Sequence, residues 1–324
     1  MTGHVVSERA TTAMVSHSEG DARMLERWLV VWLCLLSIVA YVWPANLVNP
    51  FLVTAPYVSY LFAATMFVIG WMLPRDEIEQ LLGRWPTVLA GTTIQYVSMP
   101  ALAYAAVRLF GIEGDLATGV ILVGCVPGAM ASNVLTLVAR GNMSYSLSLT
   151  TSATLLSPVV VPVALGWLLG TRVELDPQAV FTTLCWTVVV PVVAGHLSGR
   201  YFGRRAPFVQ AAGPSVANLT ILWIIAVVVA KSREQLAQVD ARLVAALLFL
   251  NLCGYAAGVF GGRVLRLPES MRRALTLEIG MQNAGLGAVL ALQFAFAGET
   301  AAMAPALYTF GCMLTGTLLA RVWS

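Results

Sequence analysis

The sequence predicts an all-α polytopic membrane protein with ten transmembrane helices. Of its 324 residues, 58% are hydrophobic and 11% are charged, whereas soluble domains carry about 25% charged residues. Its charges fall in short clusters between apolar stretches of about 20 residues, the length that crosses a hydrocarbon core. These stretches show no alternation with a period of two, and a chain in lipid must satisfy its own backbone hydrogen bonds. Helices are therefore expected rather than a barrel.

Ten apolar runs define the predicted spans. They lie at about 28–43, 53–73, 86–108, 116–138, 144–170, 178–199, 214–231, 241–264, 270–296 and 300–322. Residues 1–27 have mixed charge and lack the apolar stretch of a signal peptide. We expect them to form a disordered cytoplasmic tail and the lead-in to the first span.

The distribution of basic residues predicts the orientation of the spans. Of the 19 Lys and Arg residues, 14 fall on the side of the two termini and 5 on the opposite side. The positive-inside rule then places both termini of this integral membrane protein in the cytoplasm. The basic residues form no single patch, so nucleic-acid binding is not indicated. Ten spans divide into two halves of five. Because five is odd, the second half would enter the membrane from the side opposite to the first, as in an inverted repeat.

Glu278 is predicted to be the lone acidic residue inside a span, because the other acids fall in the tail or in loops. A carboxylate at the bilayer centre costs about 3 kcal/mol on insertion scales. Basic residues lie only near the ends of the predicted spans, so no Lys or Arg lies in the interior of a span to pair with it. The compensating partner is then a bound cation, a proton or a set of hydrogen bonds.

Two predicted spans contain helix interruptions. The fourth span carries the sequence CVPGAMASN at 125–133, and the ninth carries EIGMQNAGLG at 278–287. Proline removes a backbone donor, and glycine weakens the helix interior. Interrupted helices at corresponding positions of two repeats are the best sequence pointer to a transporter's binding site.

Further oxygen-bearing side chains lie in neighbouring spans. Ser146 and Thr150 share one face of the fifth span, and Gln95 lies in the third. Hydroxyl, amide, carboxylate and carbonyl oxygens suit a hard monovalent cation such as Na⁺ and predict no transition-metal site. Isolated polar residues in other spans, namely Asn218, Asn251 and Gln293, are expected to form interhelical hydrogen bonds rather than to bind a ligand.

The segments PGAMASN and SLSLTTSATLLSP, the segment EIGMQNAGLG, and Gln95 ahead of Met99 and Pro100 resemble the bile acid:sodium symporter family, in particular its ten-span bacterial members. This resemblance implies a core domain at 74–170 (spans three to five) and 241–324 (spans eight to ten). It implies a panel domain at 28–73 (spans one and two) and 171–240 (spans six and seven). Spans four and nine would be unwound and would cross near the membrane centre.

The resemblance also implies the site residues. One sodium site would use Ser132, Asn133, Ser146, Thr150 and Glu278. A second would use Gln95, Glu278 and Gln282 with the carbonyls of Ile279 and Met281. The substrate crevice would include Pro127, Gly128, Met130 and Asn283. Many bacterial relatives have PGGTASN where this chain has PGAMASN, so Met130 replaces a threonine hydroxyl that faces the crevice.

The function implied is a sodium-coupled symporter, not an enzyme. It would import an organic anion, either bile-acid-like or a small carboxylate such as pantoate, by alternating access with two Na⁺ per substrate. We expect no cofactor besides Na⁺ as coupling ion, no obligate protein partner, and a lipid bilayer as surroundings. A proton-coupled transporter with Glu278 as the titrating group is the main alternative. An intramembrane enzyme with Glu278 and His196 as acid and base lacks any supporting constellation.

Overall fold

The computed structural model of the chain describes residues 29–74, 77–170, 174–202, 207–237, 239–294, 298 and 300–324, and the predicted tail at 1–27 lies outside them. Regular structure in this part of the chain is helical. In order, the helices are α1 Leu29–Val42, α2 Pro50–Met72, α3 Glu77–Gly83, α4 Trp85–Phe110, α5 Gly114–Cys125, α6 Ala131–Val138, α7 Met143–Leu169, α8 Pro177–Tyr201, α9 Pro207–Lys231, α10 Arg233–Leu236, α11 Ala241–Val264, α12 Glu269–Gly280, α13 Ala284–Gln293 and α14 Met303–Val322.

Each of the ten predicted spans contains a helix, and the prediction of an all-α membrane protein is confirmed. Within the described ranges, five helices are long and apolar enough to cross a membrane: α2, α7, α8, α11 and α14. Shorter apolar helices lie at Leu29–Val42, Gly114–Cys125, Ser215–Lys231 and Ala284–Gln293. The number of crossings and the inverted repeat stay predictions.

The two predicted helix interruptions are present. The fourth span divides into α5 and α6, and the ninth divides into α12 and α13. Val126 ends α5 in an extended conformation, with φ −74° and ψ 157°, as expected for a residue that precedes a proline. After the second break, the Asn283 side chain caps α13 by accepting a hydrogen bond from the Leu286 amide at 3.0 Å. The local sequence therefore determines where both helices stop and restart.

The two interruptions pair with each other. Gly128 and Gln282 form an isolated antiparallel bridge. On either side of it, the Ala129 amide donates to the Met281 carbonyl at 2.6 Å, and the Asn283 amide donates to the Pro127 carbonyl at 2.7 Å. Backbone groups in a membrane interior need partners within the protein, and each broken segment supplies partners for the other.

Around this pair, two groups of helices can be described, which also contact each other through α7 and α8. One contains α1, α2, α8 and α9, in which α2 contacts both α8 and α9. Within it, Thr65 of α2 donates to Thr220 of α9 at 2.7 Å. The other contains α4 to α7 and α11 to α14, in which α4 contacts α5, α7 and α11, and α12 contacts α6 and α11. The paired segments lie within this second group.

The acidic residue Glu77 lies differently from its predicted place in a loop. It begins the short helix α3 and is 1% exposed. Its Oε1 accepts a hydrogen bond from Ser148 of α7 at 3.0 Å. The chain therefore buries a second carboxylate besides Glu278, and this carboxylate lies beside the N-terminal part of α7.

Candidate functional site

Glu278 occupies the point where three helices meet. It lies near the end of α12 and is fully buried. Its Oε2 accepts hydrogen bonds from Ser132 Oγ of α6 at 2.5 Å and from Thr150 Oγ1 of α7 at 2.8 Å. Both hydroxyls were predicted site residues, and the structure brings them into direct contact with the carboxylate.

The remaining members of the first predicted sodium site adjoin this centre. The Asn133 Oδ1 lies 3.5 Å from Thr150 Oγ1, and the Asn133 Nδ2 is buried and has no hydrogen-bond partner among the described residues. Ser146 is one turn before Thr150, whose hydroxyl donates to the Ser146 carbonyl at 3.1 Å. The Ser146 hydroxyl pairs with Thr136 at 3.2 Å and makes no hydrogen bond to the carboxylate. The sequence analysis missed Thr136, although its place four residues after Ser132 puts it on the same face of α6.

The second predicted sodium site is marked by unpaired oxygen atoms. Gln95 Oε1, Glu278 Oε1 and Gln282 Oε1 are all buried without a hydrogen-bond partner in the described structure. Buried polar atoms without a partner are rare in proteins because each loses its hydration. Unpaired oxygen atoms of this kind fit a bound cation, since hard cations select carboxylate and carbonyl oxygens, whereas Gln95 Nε2, which also lacks a partner among the described residues, is a donor and does not.

The backbone carbonyls predicted for this second site each accept one hydrogen bond. The Ile279 carbonyl accepts from Gln282 Nε2 at 2.9 Å. The Met281 carbonyl accepts from the Ala129 amide. A carbonyl oxygen has two lone pairs, so each retains one acceptor position.

Gly128 fixes the distance between the two broken segments. A Cβ atom built on Gly128 would lie 2.1 Å from Glu278 Oε1. This position therefore requires a residue without a side chain, since the carboxylate fills the space. The predicted crevice residues Pro127 and Gly128 are buried behind the cavity described next, and they do not line it.

A cavity of about 360 Å³ lies beside this centre, between the two helix groups. The predicted crevice residues Met130 and Asn283 line it from one side, and α2 and α9 line it from the other. Four of its lining residues are methionines, namely Met66, Met72, Met130 and Met143. Thioether side chains are flexible and polarisable, which suits a surface that adapts to a bound molecule. Among the described residues, no Lys or Arg lines this cavity.

Other predicted polar residues lie outside this centre. Asn251 donates to the Gly280 carbonyl at 2.8 Å, and Ser59 donates to Gln293 at 3.0 Å. The predicted interhelical hydrogen bonds of Asn251 and Gln293 are confirmed, whereas that of Asn218, which lines the cavity, stays a prediction. His196 is a buried residue of α8. In the described part of the chain its ring nitrogens have no hydrogen-bond partner, so it forms no hydrogen bond with Glu278.

Comparisons with known proteins agree with this geometry. The model of the sodium bile acid symporter family matches residues 59–239. An uncharacterized sodium-dependent transporter, YocS of Bacillus subtilis (strain 168), is 30% identical over 294 residues, which cover 91% of this chain and 90% of YocS. The helical membrane fold and these matches define a membrane transporter. The chain belongs to the sodium bile acid symporter family.

More distant relatives come from eukaryotes. The probable sodium/metabolite cotransporter BASS1 of Arabidopsis thaliana chloroplasts is 29% identical over 259 residues, which cover 80% of this chain and 64% of BASS1. Sodium/bile acid cotransporter 4 of Mus musculus is 29% identical over 248 residues, which cover 74% of this chain and 56% of the mouse protein. The matched region thus spans less than two thirds of either protein. Each of these relatives is named a transporter or cotransporter rather than an enzyme.

Proposed function

We propose that this protein is a sodium-coupled symporter that imports an organic anion across the bacterial inner membrane. The observation that carries the proposal is the fully buried Glu278 carboxylate, which lies beside paired helix breaks and has one unpaired oxygen. A carboxylate in this position has no cationic side chain bonded to it in the described structure. The sodium-dependent names of the relatives favour Na⁺ over a proton as its partner.

The first sodium ion would bind between α6, α7 and α12. Its ligands would be Ser132, Asn133, Ser146, Thr150 and Glu278. The Ser132 and Thr150 hydroxyls each have Glu278 Oε2 as a hydrogen-bond acceptor, beside the carbonyls of Ala129 and Ser146 respectively, and a hydroxyl that donates keeps both of its lone pairs. The same hydroxyls can therefore hold the carboxylate and face the cation.

The second sodium ion would bind on the other oxygen of Glu278. The unpaired Oε1 atoms of Gln95, Glu278 and Gln282 would surround it, with the carbonyls of Ile279 and Met281. Because Glu278 contributes to both sites, the two ions would share one negative charge. Shared use of the carboxylate supports a stoichiometry of two Na⁺ per cargo molecule.

Alternating access would follow from movement of one helix group against the other. We assign α1, α2, α8 and α9 to the panel domain and the remaining long helices to the core domain. The cavity lies at the boundary of the two. Leu29 at the start of α1 and Arg321 near the end of α14 line the same groove, which supports both termini on one side. By the distribution of basic residues, that side would be cytoplasmic.

The cargo would bind in the cavity next to the sodium sites. Asn283 lines the cavity and caps the N-terminus of α13, where the helix dipole places partial positive charge. The anionic group of the cargo would lie at this end, as in other transporters with discontinuous helices. The methionine-rich walls would contact its apolar part.

Replacing Glu278 by Gln tests the proposal. We expect the wild-type protein to become more heat-stable when Na⁺ replaces K⁺ at constant ionic strength, because a ligand that binds only the folded state stabilises it. The E278Q variant should lose this response, together with sodium-driven uptake of organic anions by vesicles. Glu77→Gln is the matched control, since it alters the other buried carboxylate and should retain both. Uptake driven by a pH gradient in sodium-free buffer would instead establish proton coupling.

A further inference from the structure

The carbonyl of Gly280 is held by two side chains from outside its own helix. Gly280 is the last residue of α12. In an unbroken helix its carbonyl would accept from the amide of residue 284, four positions on. That amide bonds to the Gln282 carbonyl instead, at 2.8 Å. The freed Gly280 carbonyl accepts from Asn251 Nδ2 of α11 at 2.8 Å and from the Tyr308 hydroxyl of α14 at 2.7 Å.

The Gly280 carbonyl accepts more hydrogen bonds than its burial requires. One donor would satisfy a buried carbonyl, yet both lone pairs are used here. Asn251 and Tyr308 are each 1% exposed. Asn251 is itself fixed, because its Oδ1 accepts from Thr315 Oγ1 at 2.7 Å. The orientation of the Gly280 carbonyl is thus determined by two helices that contribute no proposed sodium ligand.

The peptide unit between Gly280 and Met281 is fixed at both ends. Its carbonyl is bonded to Asn251 and Tyr308, and its amide, which belongs to Met281, donates to the Leu277 carbonyl at 3.0 Å. A peptide unit is planar, so these bonds set the direction in which the chain leaves α12. Glu278 precedes this unit and Gln282 follows it. Its orientation therefore sets the relative positions of the two side chains.

Gly280 also has no freedom to shift sideways. A Cβ atom built on it would lie 2.1 Å from Cδ1 of the Tyr255 ring. The ring of α11 therefore packs directly on the backbone at the break. Since Asn251 is one turn earlier on the same helix, α11 holds Gly280 by a side-chain hydrogen bond and by packing.

We propose that Asn251 and Tyr308 are positioning residues of the second sodium site. They hold the Gly280 carbonyl away from the ion and keep Glu278 and Gln282 in their binding positions before the ion arrives. The inference rests on the proposed function, since it needs a sodium ion at these oxygens. Groups that orient metal ligands without touching the metal typically alter its affinity 10- to 100-fold when they are removed.

The test compares sodium titrations of Tyr308→Phe and the wild type. Thermal stability of the purified full chain is measured while Na⁺ replaces K⁺ at constant ionic strength. We expect the sodium concentration that gives half of the maximal stabilisation to rise about tenfold in Y308F. The control is Thr309→Val, which removes a buried hydroxyl of the same helix whose hydrogen bond in the described structure is to the Pro305 carbonyl at 3.0 Å. Its sodium midpoint should equal that of the wild type.

A purely structural role would give a different result. Y308F would then melt at a lower temperature in K⁺ but keep the wild-type sodium midpoint, and the proposal would be overturned. Thr315→Val provides a second variant in case Y308F does not fold, because it leaves both donors to the Gly280 carbonyl in place and removes the hydrogen bond to Asn251 Oδ1 together with the contact to the Tyr255 hydroxyl at 3.2 Å. We expect a smaller rise of its midpoint, and an unchanged midpoint would also count against the proposal. A wild-type protein without a sodium-specific response would instead refute the proposed function, and this inference with it.

Discussion

Replacing Gly128 by Ala tests whether the paired helix breaks leave the Glu278 carboxylate only one position. The added Cβ would lie 2.1 Å from Glu278 Oε1 and 2.6 Å from its Cδ, whereas ordinary contacts begin at 3.4 Å. The carboxylate must then retreat by about 1 Å, which exceeds the roughly 0.5 Å that a preorganised site tolerates. We expect sodium affinity to fall about 10- to 100-fold. Overpacking should also destabilise the fold by about 1–3 kcal/mol.

The assay is the sodium titration of thermal stability, with Gly311→Ala as the matched control. Gly311 lies in α14, and a Cβ built on it meets nothing within 4 Å. Alanine should therefore be accepted there and stabilise the helix by about 0.5–1 kcal/mol, with no change in the sodium midpoint. A wild-type midpoint in G128A would refute the reasoning, because the carboxylate would then have room that the geometry does not provide.

Three further substitutions separate binding, stability and selectivity. Ser132→Ala removes one of the two donors to Glu278 Oε2. Because a hydrogen bond to a charged group contributes about 1.5–3 kcal/mol, the sodium midpoint should rise at least about tenfold, and a midpoint equal to that of the Thr309→Val control would contradict this role. Arg273→Gln removes a guanidinium that donates to the carbonyls after α6 and α14 at 2.8 and 2.9 Å, so the melting temperature should fall in K⁺ while the sodium midpoint stays constant. Met130→Thr adds a hydroxyl to the cavity wall. In competition between steroid anions and small hydroxy-acid anions, the variant should prefer a different anion from the wild type, with unchanged sodium dependence. The same order of preference in both proteins would show that this position does not contact the cargo.

The sequence predicted those features that depend on local chemistry. Placing a carboxylate in the bilayer costs free energy whichever residues become its partners. Glu278 could therefore be singled out without a structure. Proline and glycine act on their own helix turn, so the break after Cys125 was also predictable. The corresponding break after Gly280 was indicated by the glycines and polar residues that surround it.

Features that depend on distant partners were not predictable. Glu77 stands in the charged cluster 75–79, which is typical of a loop, and only its contact with Ser148, 71 residues away, shows that it is buried. Asn251 was predicted to form an interhelical hydrogen bond, but its acceptor exists only because α12 ends at Gly280. Tyr308 carried no signal, since a tyrosine in an apolar span is typical of packing or of the membrane interface.

The charge balance of the proposed site connects ion binding to cargo binding. Glu278 with two sodium ions carries one net positive charge, and no Lys or Arg lines the adjacent cavity among the described residues. A monovalent anion would then find its attraction only after the ions have bound, and the loaded site would be neutral. The empty site would carry the single negative charge of Glu278. The membrane potential, at about 2.3 kcal/mol per charge per 100 mV, would therefore act on the step in which the empty carrier returns.

We therefore expect net uptake into proteoliposomes to increase with an inside-negative potential, whereas exchange of labelled for unlabelled cargo in saturating Na⁺ should be independent of the potential. Exchange that responded to the potential as strongly as net uptake would contradict a neutral loaded state and, with it, the stoichiometry of two ions per anion.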